Sequence, residues 1–137
     1  MPTTDPPASV TLVSNYAFYK PAGEFTLDEI TAAIDDAIIW CRRERIRGLL
    51  ADVRQAVFER PTVAQRFTFI SRWADLAGPS VVIAVCADPA MILEDKFGVV
   101  IANNRGMIAD AYADIDEATK WLTDRLGGKP ALPDRST

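Results

Sequence analysis

Apolar and polar positions in the first third of the chain change from short β-rich runs to a helical period. Val10–Val13 and Tyr16–Tyr19 are separated by two polar residues, a spacing that predicts a β-hairpin. Thr26 and Glu29 then form a capping-box pattern, which predicts the start of a helix. The apolar positions on one face of this helix are Leu27, Ile30, Ile34, Ala37, Ile38 and Cys41. That stripe is typical of a helix that packs against a sheet.

Two continuous apolar runs further along predict strands that are buried on both faces. Gly48–Val53 follows the first helix, and Ser80–Ala87, the most β-prone run, is expected to be the central strand. Between them, Pro61 suits the first turn of a second helix, which Gly78 ends. The core stripe of that helix is expected to be Val63, Phe67, Ile70, Ala74 and Ala77. Strand, helix and strand in this order predict a β-α-β crossover.

Residues 97–112 admit two interpretations. Asp88 and Pro89 form an N-cap followed by proline, which favours a third helix and then a strand. An asparagine-rich turn ending in Gly106 would instead suit a β-hairpin. The last helix is clearer, because Asp114 and Glu117 mark its start.

These elements predict an α/β fold, with a mixed β-sheet, an N-terminal hairpin and about four helices. The chain has 137 residues, 49% of them hydrophobic, which is enough for one core without metal or disulfide help. One domain is expected over residues 10–126. Residues 1–9 are rich in proline, threonine and serine, and residues 127–137 form a polar stretch that begins with two glycines. Both segments are expected to be flexible tails.

Composition excludes several classes of function. The chain contains no histidine, which removes Ser-His-Asp and Cys-His catalysis and histidine-bound zinc or haem. Its net charge of −4 argues against nucleic acid as the main partner, and Arg42–Arg47 is interpreted as helix C-terminal chemistry. No apolar run is long enough to span a membrane, so a cytoplasmic location is expected. Asp35 and Asp36 are predicted to face the solvent as surface charge.

The order of five short motifs resembles the SpoIIAA-like family of the STAS/Sec14-type superfamily. The motifs are Gly23–Asp28, Arg47–Asp52, Ser80–Val85, Asn104–Gly106 and Glu117–Leu122. The resemblance implies a β/α superhelical fold and a non-catalytic regulatory or protein-interaction module; in the Sec14-like branch it implies a holder of apolar ligands. The serine-containing stretch of the phosphorylated members is absent, because residues 52–62 contain no serine and only one hydroxyl, that of Thr62. A phosphorylation switch is therefore not carried over.

Candidate site residues follow the parallel strands, because ligands of open α/β sheets bind outside the carboxyl ends of strands. Asp52, Arg54 and Phe58 lie in this position. Asp52 is expected to pair with Arg54 or to bond loop amides in preference to acting as a general base. Cys41 and Cys86 are expected to be reduced core thiols, since neither belongs to a CxxC pair. No metal site or cofactor is expected.

The second helix carries more apolar surface than one contact with a sheet requires. Phe69, Trp73 and Leu76 form an arc about 100° away from its core stripe. The alternatives for this arc are another helix of the same domain, a homodimer, a protein partner or a slot for an apolar ligand. We expect a subunit, partner or ligand contact there. Two functions follow as expectations: a non-enzymatic interaction module, or a domain that binds a small apolar ligand.

Overall fold

The structure, a computed structural model, describes residues 4–127 apart from the side chains of 92–98. The outer parts of the two predicted tails, 1–3 and 128–137, lie outside the described residues. The strands are β1 (Val10–Val13), β2 (Tyr16–Tyr19), β3 (Gly23–Glu24), β4 (Gly48–Asp52), β5 (Ala56–Val57), β6 (Val82–Cys86) and β7 (Ala109–Tyr112). The helices are α1 (Leu27–Glu44), α2 (Val63–Ala77), α3 (Pro89–Asn104) and α4 (Ile115–Arg125). The α/β fold with a mixed sheet is confirmed.

The main sheet has five strands in the order β1-β2-β4-β6-β7. β1 and β2 form the predicted antiparallel hairpin, and every other pairing in this sheet is parallel. The prediction that Ser80–Ala87 supplies the central strand is wrong, because β4 occupies that place. Both strands are buried runs of similar composition, so hydrophobicity could not rank them. The two-residue strands β3 and β5, which pair in parallel beside the main sheet, were not predicted.

The helices divide unequally between the two faces of the sheet. One hydrophobic cluster joins side chains of α1, α2 and α3 to one face, whereas α4 packs on the other face through Ala118 and Leu122. This division follows from the strand order, because each right-handed crossover that adds a strand on the same side also places its helix on the same face. The two faces are called the three-helix face and the α4 face below.

Local signals set most of the helix boundaries. The predicted capping box of α1 is present, with hydrogen bonds in both directions between Thr26 and Glu29. The start of α2 differs from the prediction, because Thr62 is the N-cap and forms a second capping box with Gln65, so Pro61 precedes the helix. Threonine supplies a side-chain acceptor that proline lacks.

The segment that follows β6 takes the helix-and-strand alternative. Asp88 occupies the N-cap position of α3 and Pro89 follows it, although the Asp88 side chain makes no capping hydrogen bond. Asp114 does cap α4, where it accepts the amide N–H of Glu117. Proline at the first helical position is therefore the signal that begins α3.

The predicted core stripe of α2 is partly wrong. Val63 and Phe67 are 68% and 46% exposed, whereas Arg66 is only 4% exposed beside Ile70. The helix is rotated relative to the expected orientation, so that the arc Phe69, Trp73 and Leu76 packs against the core. A contact with both the sheet and α1 buries a wider stripe than a contact with the sheet alone.

The α4 face is packed closely around Gly48. A Cβ atom at Gly48 would lie 2.7 Å from Cδ1 of Leu126 and 3.1 Å from Cβ of Tyr16.

The described part of the N-terminal segment contacts α1. The backbone N–H and the hydroxyl of Thr4 both donate to the Glu44 carboxylate. The indole N–H of Trp40 donates to Thr4 in turn, so this part of the N-terminal segment contacts α1.

Candidate functional site

The predicted residues Asp52 and Arg54 form a closed ion pair at the carboxyl end of β4. The Arg54 Nε donates to Oδ1 of Asp52 at 2.9 Å, and its Nη2 donates to Oδ2 at 2.9 Å. The Arg54 backbone N–H adds a third bond to Oδ1 at 3.2 Å. Burial alone would raise the pKa of Asp52, but the hydrogen bonds and charge of Arg54 outweigh it and lower this pKa below its usual value.

This arrangement is that of a structural carboxylate. Asp52 is 1% exposed, and both of its oxygens are occupied by Arg54. A general base needs a free lone pair that a substrate can reach and a pKa near the operating pH. The expectation that Asp52 pairs with Arg54 is confirmed.

The strand order also explains why no ligand crevice is expected at this edge. Crevices form where the order of an open sheet reverses direction. Here β2, β4, β6 and β7 follow one another in one direction, so successive helices α1, α2 and α3 stay on one face. A site for a ligand must therefore be sought between the layers.

An apolar cavity of about 100 Å³ lies on the three-helix face, between the sheet and the helices. Its aromatic wall contains Phe58, Phe69 and Trp73, three of the six residues singled out from the sequence. The remaining walls come mostly from aliphatic residues of α1, β4 and β6, such as Ile34, Ala51 and Ile83, and from residues of α3 and β7. Three polar side chains also reach the wall, those of Thr31, Arg66 and Asp110. The three aromatic side chains are half-buried, so they mark the side on which the cavity approaches the solvent.

Polar groups in the wall are already bonded within the protein. The Thr31 hydroxyl donates to the Leu27 carbonyl at 2.9 Å, one helical turn earlier. The Asp110 carboxylate accepts the backbone N–H of Ala111 and the hydroxyl of Tyr112. Since these groups have partners, what the wall offers a ligand is carbon surface.

Trp73 is held in place by a contact with α1 that the sequence interpretation missed. Its indole N–H donates to Oδ1 of Asp35 at 2.6 Å, and the Nε of Arg72 donates to Oδ2 at 2.9 Å. The prediction that Asp35 is only surface charge is therefore wrong. The carboxylate is drawn in by an indole from α2, and this contact fixes the two helices over the cavity.

Arg66 is a second residue that the sequence interpretation missed. It lies in the wall of the cavity and is almost fully buried. Its spacing of four residues before Ile70 was an available signal, because that spacing puts a charged residue on the apolar stripe. Leu76, in contrast, packs against the core outside the cavity, and its carbonyl accepts a hydrogen bond from Arg42 at 2.7 Å.

A groove between the N-terminal halves of α1 and α2 adjoins the cavity. It encloses about 290 Å³ and shares Leu27, Thr31 and Phe69 with the cavity wall. The Phe69 ring contacts the Trp73 ring in a tilted arrangement, with ring centroids 4.7 Å apart and 47° between the ring planes. The side chain of Phe69 thus stands between the groove and the cavity.

The cysteines lie apart from this cavity and are poor nucleophiles. Cys41 belongs to the cluster on the three-helix face and Cys86 to that on the α4 face, and both are free, buried thiols. Burial raises the pKa of Cys41 to about 12 and also raises the pKa of Cys86. A thiolate is the reactive form, so neither group is activated.

Among the described side chains of residues 4–91 and 99–127, no group of three or more cysteine, aspartate or glutamate residues is arranged to hold a metal ion. In the same part of the chain, none of the helices has the length and apolar character needed to cross a bilayer.

Comparisons with protein-family models, with curated proteins and with solved structures found no match.

Proposed function

We propose that this protein is a non-enzymatic binding domain that holds a small apolar ligand in the cavity of its three-helix face. The observation that carries the proposal is the cavity itself, which three half-buried aromatic side chains line and whose polar neighbours are bonded elsewhere. An apolar cavity of roughly 150 Å³ stays dry and binds benzene in another protein. At about 100 Å³, this cavity fits a ligand no larger than a single ring or a short alkyl chain.

The proposal includes membership of the SpoIIAA-like group and a cytosolic location. The group's implied β/α superhelix is supported by strands that add in one direction, with α1 to α3 on one face. A reducing compartment is supported by the two buried thiols. The Sec14-like branch of the superfamily, as holders of apolar ligands, is the branch that the cavity favours.

The proposal is tested by titrating the protein with toluene, an apolar ring, and with benzoate, an anion of similar size. Toluene is expected to shift the methyl NMR signals of Ile34 and Ile83 saturably, and benzoate is expected to leave them unchanged. Ala51→Leu fills the cavity from β4 and is expected to abolish the toluene shifts. Val57→Leu adds a carbon on an exposed strand residue outside the cavity and serves as the control.

Three results would contradict the proposal. Toluene binding that survives Ala51→Leu would place the ligand elsewhere. Absence of saturable shifts in the wild-type protein would leave the cavity as a packing defect. Binding of benzoate but not toluene would indicate an anionic ligand near Arg66.

A second candidate function is a regulatory or protein-interaction module, and an exposed patch on α2 favours it. Val63 and Phe67 lie one turn apart on the same side of the helix, and both are exposed. The guanidinium of Arg105 lies 5.3 Å from the centre of the Phe67 ring, which makes the patch both apolar and cationic.

Sedimentation velocity over a range of concentrations tests the homodimer form of this candidate. Phe67→Ser is expected to abolish any association, with the toluene shifts unchanged.

A further inference from the structure

β7 is a free edge of the sheet. Its outward-pointing backbone N–H groups are hydrogen-bonded to side chains of the same domain. Within residues 4–127, β6 is the only strand that pairs with β7. The Ile108 carbonyl accepts a hydrogen bond from Ile83 of β6, and the Tyr112 carbonyl accepts one from Ala87, the residue after β6. The backbone groups of Ala109 and Ala111 therefore point away from the sheet. The Ala109 N–H donates to Oδ1 of Asn103 at 3.4 Å, and the Ala111 N–H donates to Oδ1 of Asp110 at 2.8 Å.

These two side chains act as substitutes for a neighbouring strand. A strand edge with open N–H and C=O groups attracts further strands, and proteins commonly block such edges. The Asn103 bond is long for an N–H···O contact, whose usual range is about 2.7–3.2 Å. A strand carbonyl could therefore replace Asn103 with a gain in hydrogen-bond geometry.

The same edge is the floor of an open groove of about 410 Å³. Val99 and Asn103 of α3 line one side of the groove, and Trp121 and Arg125 of α4 line the other side. A strand paired with β7 would direct alternate side chains toward α3 and toward α4.

The side of the groove that α4 lines carries a positively charged side chain, that of Arg125. The Arg125 guanidinium lies 5.3 Å from the centre of the Trp121 ring, and it has no carboxylate partner within ion-pair distance among the described side chains of residues 4–91 and 99–127. A carboxylate on the added strand would therefore find a positive charge there.

We propose that the β7 edge binds an extended acidic peptide segment of a partner protein by strand addition, with a carboxylate of the peptide placed against Arg125. The peptide exchanges its backbone hydrogen bonds for those that Asn103 and Asp110 now make, and main-chain bonds of this kind supply affinity in other strand-addition complexes. A second copy of this chain fits less well. Antiparallel pairing of two β7 strands would bring both α4 helices, and both Arg125 charges, to the same side of the joined sheet.

The test uses a fluorescein-labelled peptide of roughly six residues, the length of an ordinary strand. The peptide alternates valine and threonine around one glutamate, and a second peptide carries lysine in place of the glutamate. Fluorescence anisotropy is expected to detect saturable binding of the glutamate peptide and much weaker binding of the lysine peptide. Amide exchange by NMR is expected to slow at Ala109 and Ala111 when the glutamate peptide binds.

Two variants with matched controls make the test specific. Asn103→Ala removes the competing acceptor and is expected to tighten binding by roughly two- to tenfold, the value of one hydrogen bond. Asn104→Ala, at the neighbouring exposed position outside the groove, is expected to have no effect. Arg125→Glu is expected to weaken binding by roughly tenfold or more, and Arg43→Glu on α1 is expected not to change it.

The proposal is overturned if the glutamate peptide does not bind, or if both peptides bind equally. It is also overturned if Asn103→Ala converts the protein to a dimer in sedimentation experiments, which would make a second copy the occupant. Ala109 and Ala111 also line the toluene cavity. Anisotropy and sedimentation, however, report only peptide binding and self-association, so this proposal and the proposed function fail separately.

Discussion

The two faces of the sheet show different ways of covering a hydrophobic surface. On the α4 face, one helix of eleven residues packs so closely that a Cβ at Gly48 would force the Leu126 side chain to shift. On the three-helix face, three longer helices leave an apolar cavity of about 100 Å³ between them and the same strands. Three helices must satisfy contacts with one another as well as with the sheet, whereas a single helix can settle onto the sheet alone. A cavity is therefore more readily retained under the larger layer.

The faces also differ in where they place polar groups. The ion pair of Asp52 and Arg54 closes the carboxyl end of β4 next to Cys86, whose electrostatic surroundings include both residues. On the three-helix face, the corresponding polar contact is between Asp35 and Trp73 and joins two helices. One contact thus closes a strand end, and the other holds the wall of a cavity.

The largest difference between the faces is expected from adding the same side chain to each. Ala84→Leu on β6 introduces three carbons into the filled α4 face and is expected to lower the free energy of unfolding by about 3 kcal/mol. Ala51→Leu on β4 directs the same carbons into the cavity and is expected to cost less than about 1 kcal/mol. Urea denaturation of both variants checks this. Equal losses would show that the two faces are packed alike.

A smaller effect is expected from neutralising the buried carboxylate. Asp52→Asn removes the charge that Arg54 binds and is expected to cost about 2 kcal/mol at pH 7. Because the pKa of Asp52 is lowered in the folded protein, its contribution is present above the unfolded pKa of about 3.9 and disappears as the pH falls through the folded value. Wild type and variant should therefore converge in stability at low pH.

Asp124→Asn is the control for that experiment. The Asp124 carboxylate pairs with Lys120 on the exposed surface of α4, at 3.0 Å. Its neutralisation is expected to cost less than about 0.5 kcal/mol. A difference between wild type and Asp52→Asn that stays constant from pH 7 to pH 2 would refute the assigned role of the ion pair.

The smallest effect is expected from removing one hydrogen bond on the three-helix face. Trp73→Phe keeps an aromatic ring but loses the donor to Asp35, at an expected cost of about 1 kcal/mol by urea denaturation. Arg72→Ala removes the exposed partner of the same carboxylate and is expected to cost less than about 0.5 kcal/mol. A change in sedimentation of Trp73→Phe with the fold intact would instead place Trp73 at a subunit contact.

Sequence alone determined the elements whose signals are local. The capping box of Thr26 and Glu29, the hairpin spacing before Tyr16 and the proline after Asp88 each involve residues within a few positions of one another. The resulting hydrogen bonds and backbone angles form within one turn, so short motifs predict them. The pairing of Asp52 with Arg54, two residues later, belongs to the same class.

Only the tertiary structure decided the features that join distant parts of the chain. Asp35 and Trp73 lie 38 positions apart, and their hydrogen bond depends on how α1 and α2 are rotated about their axes. The sequence of α2 offered two apolar arcs, and the wider contact with the sheet and α1 partly buried Phe69 and Trp73, while it left Val63 and Phe67 exposed. The cavity depends on the same rotation. A periodic pattern shows which side chains prefer burial, but their competition for a limited volume is resolved only when the layers pack together.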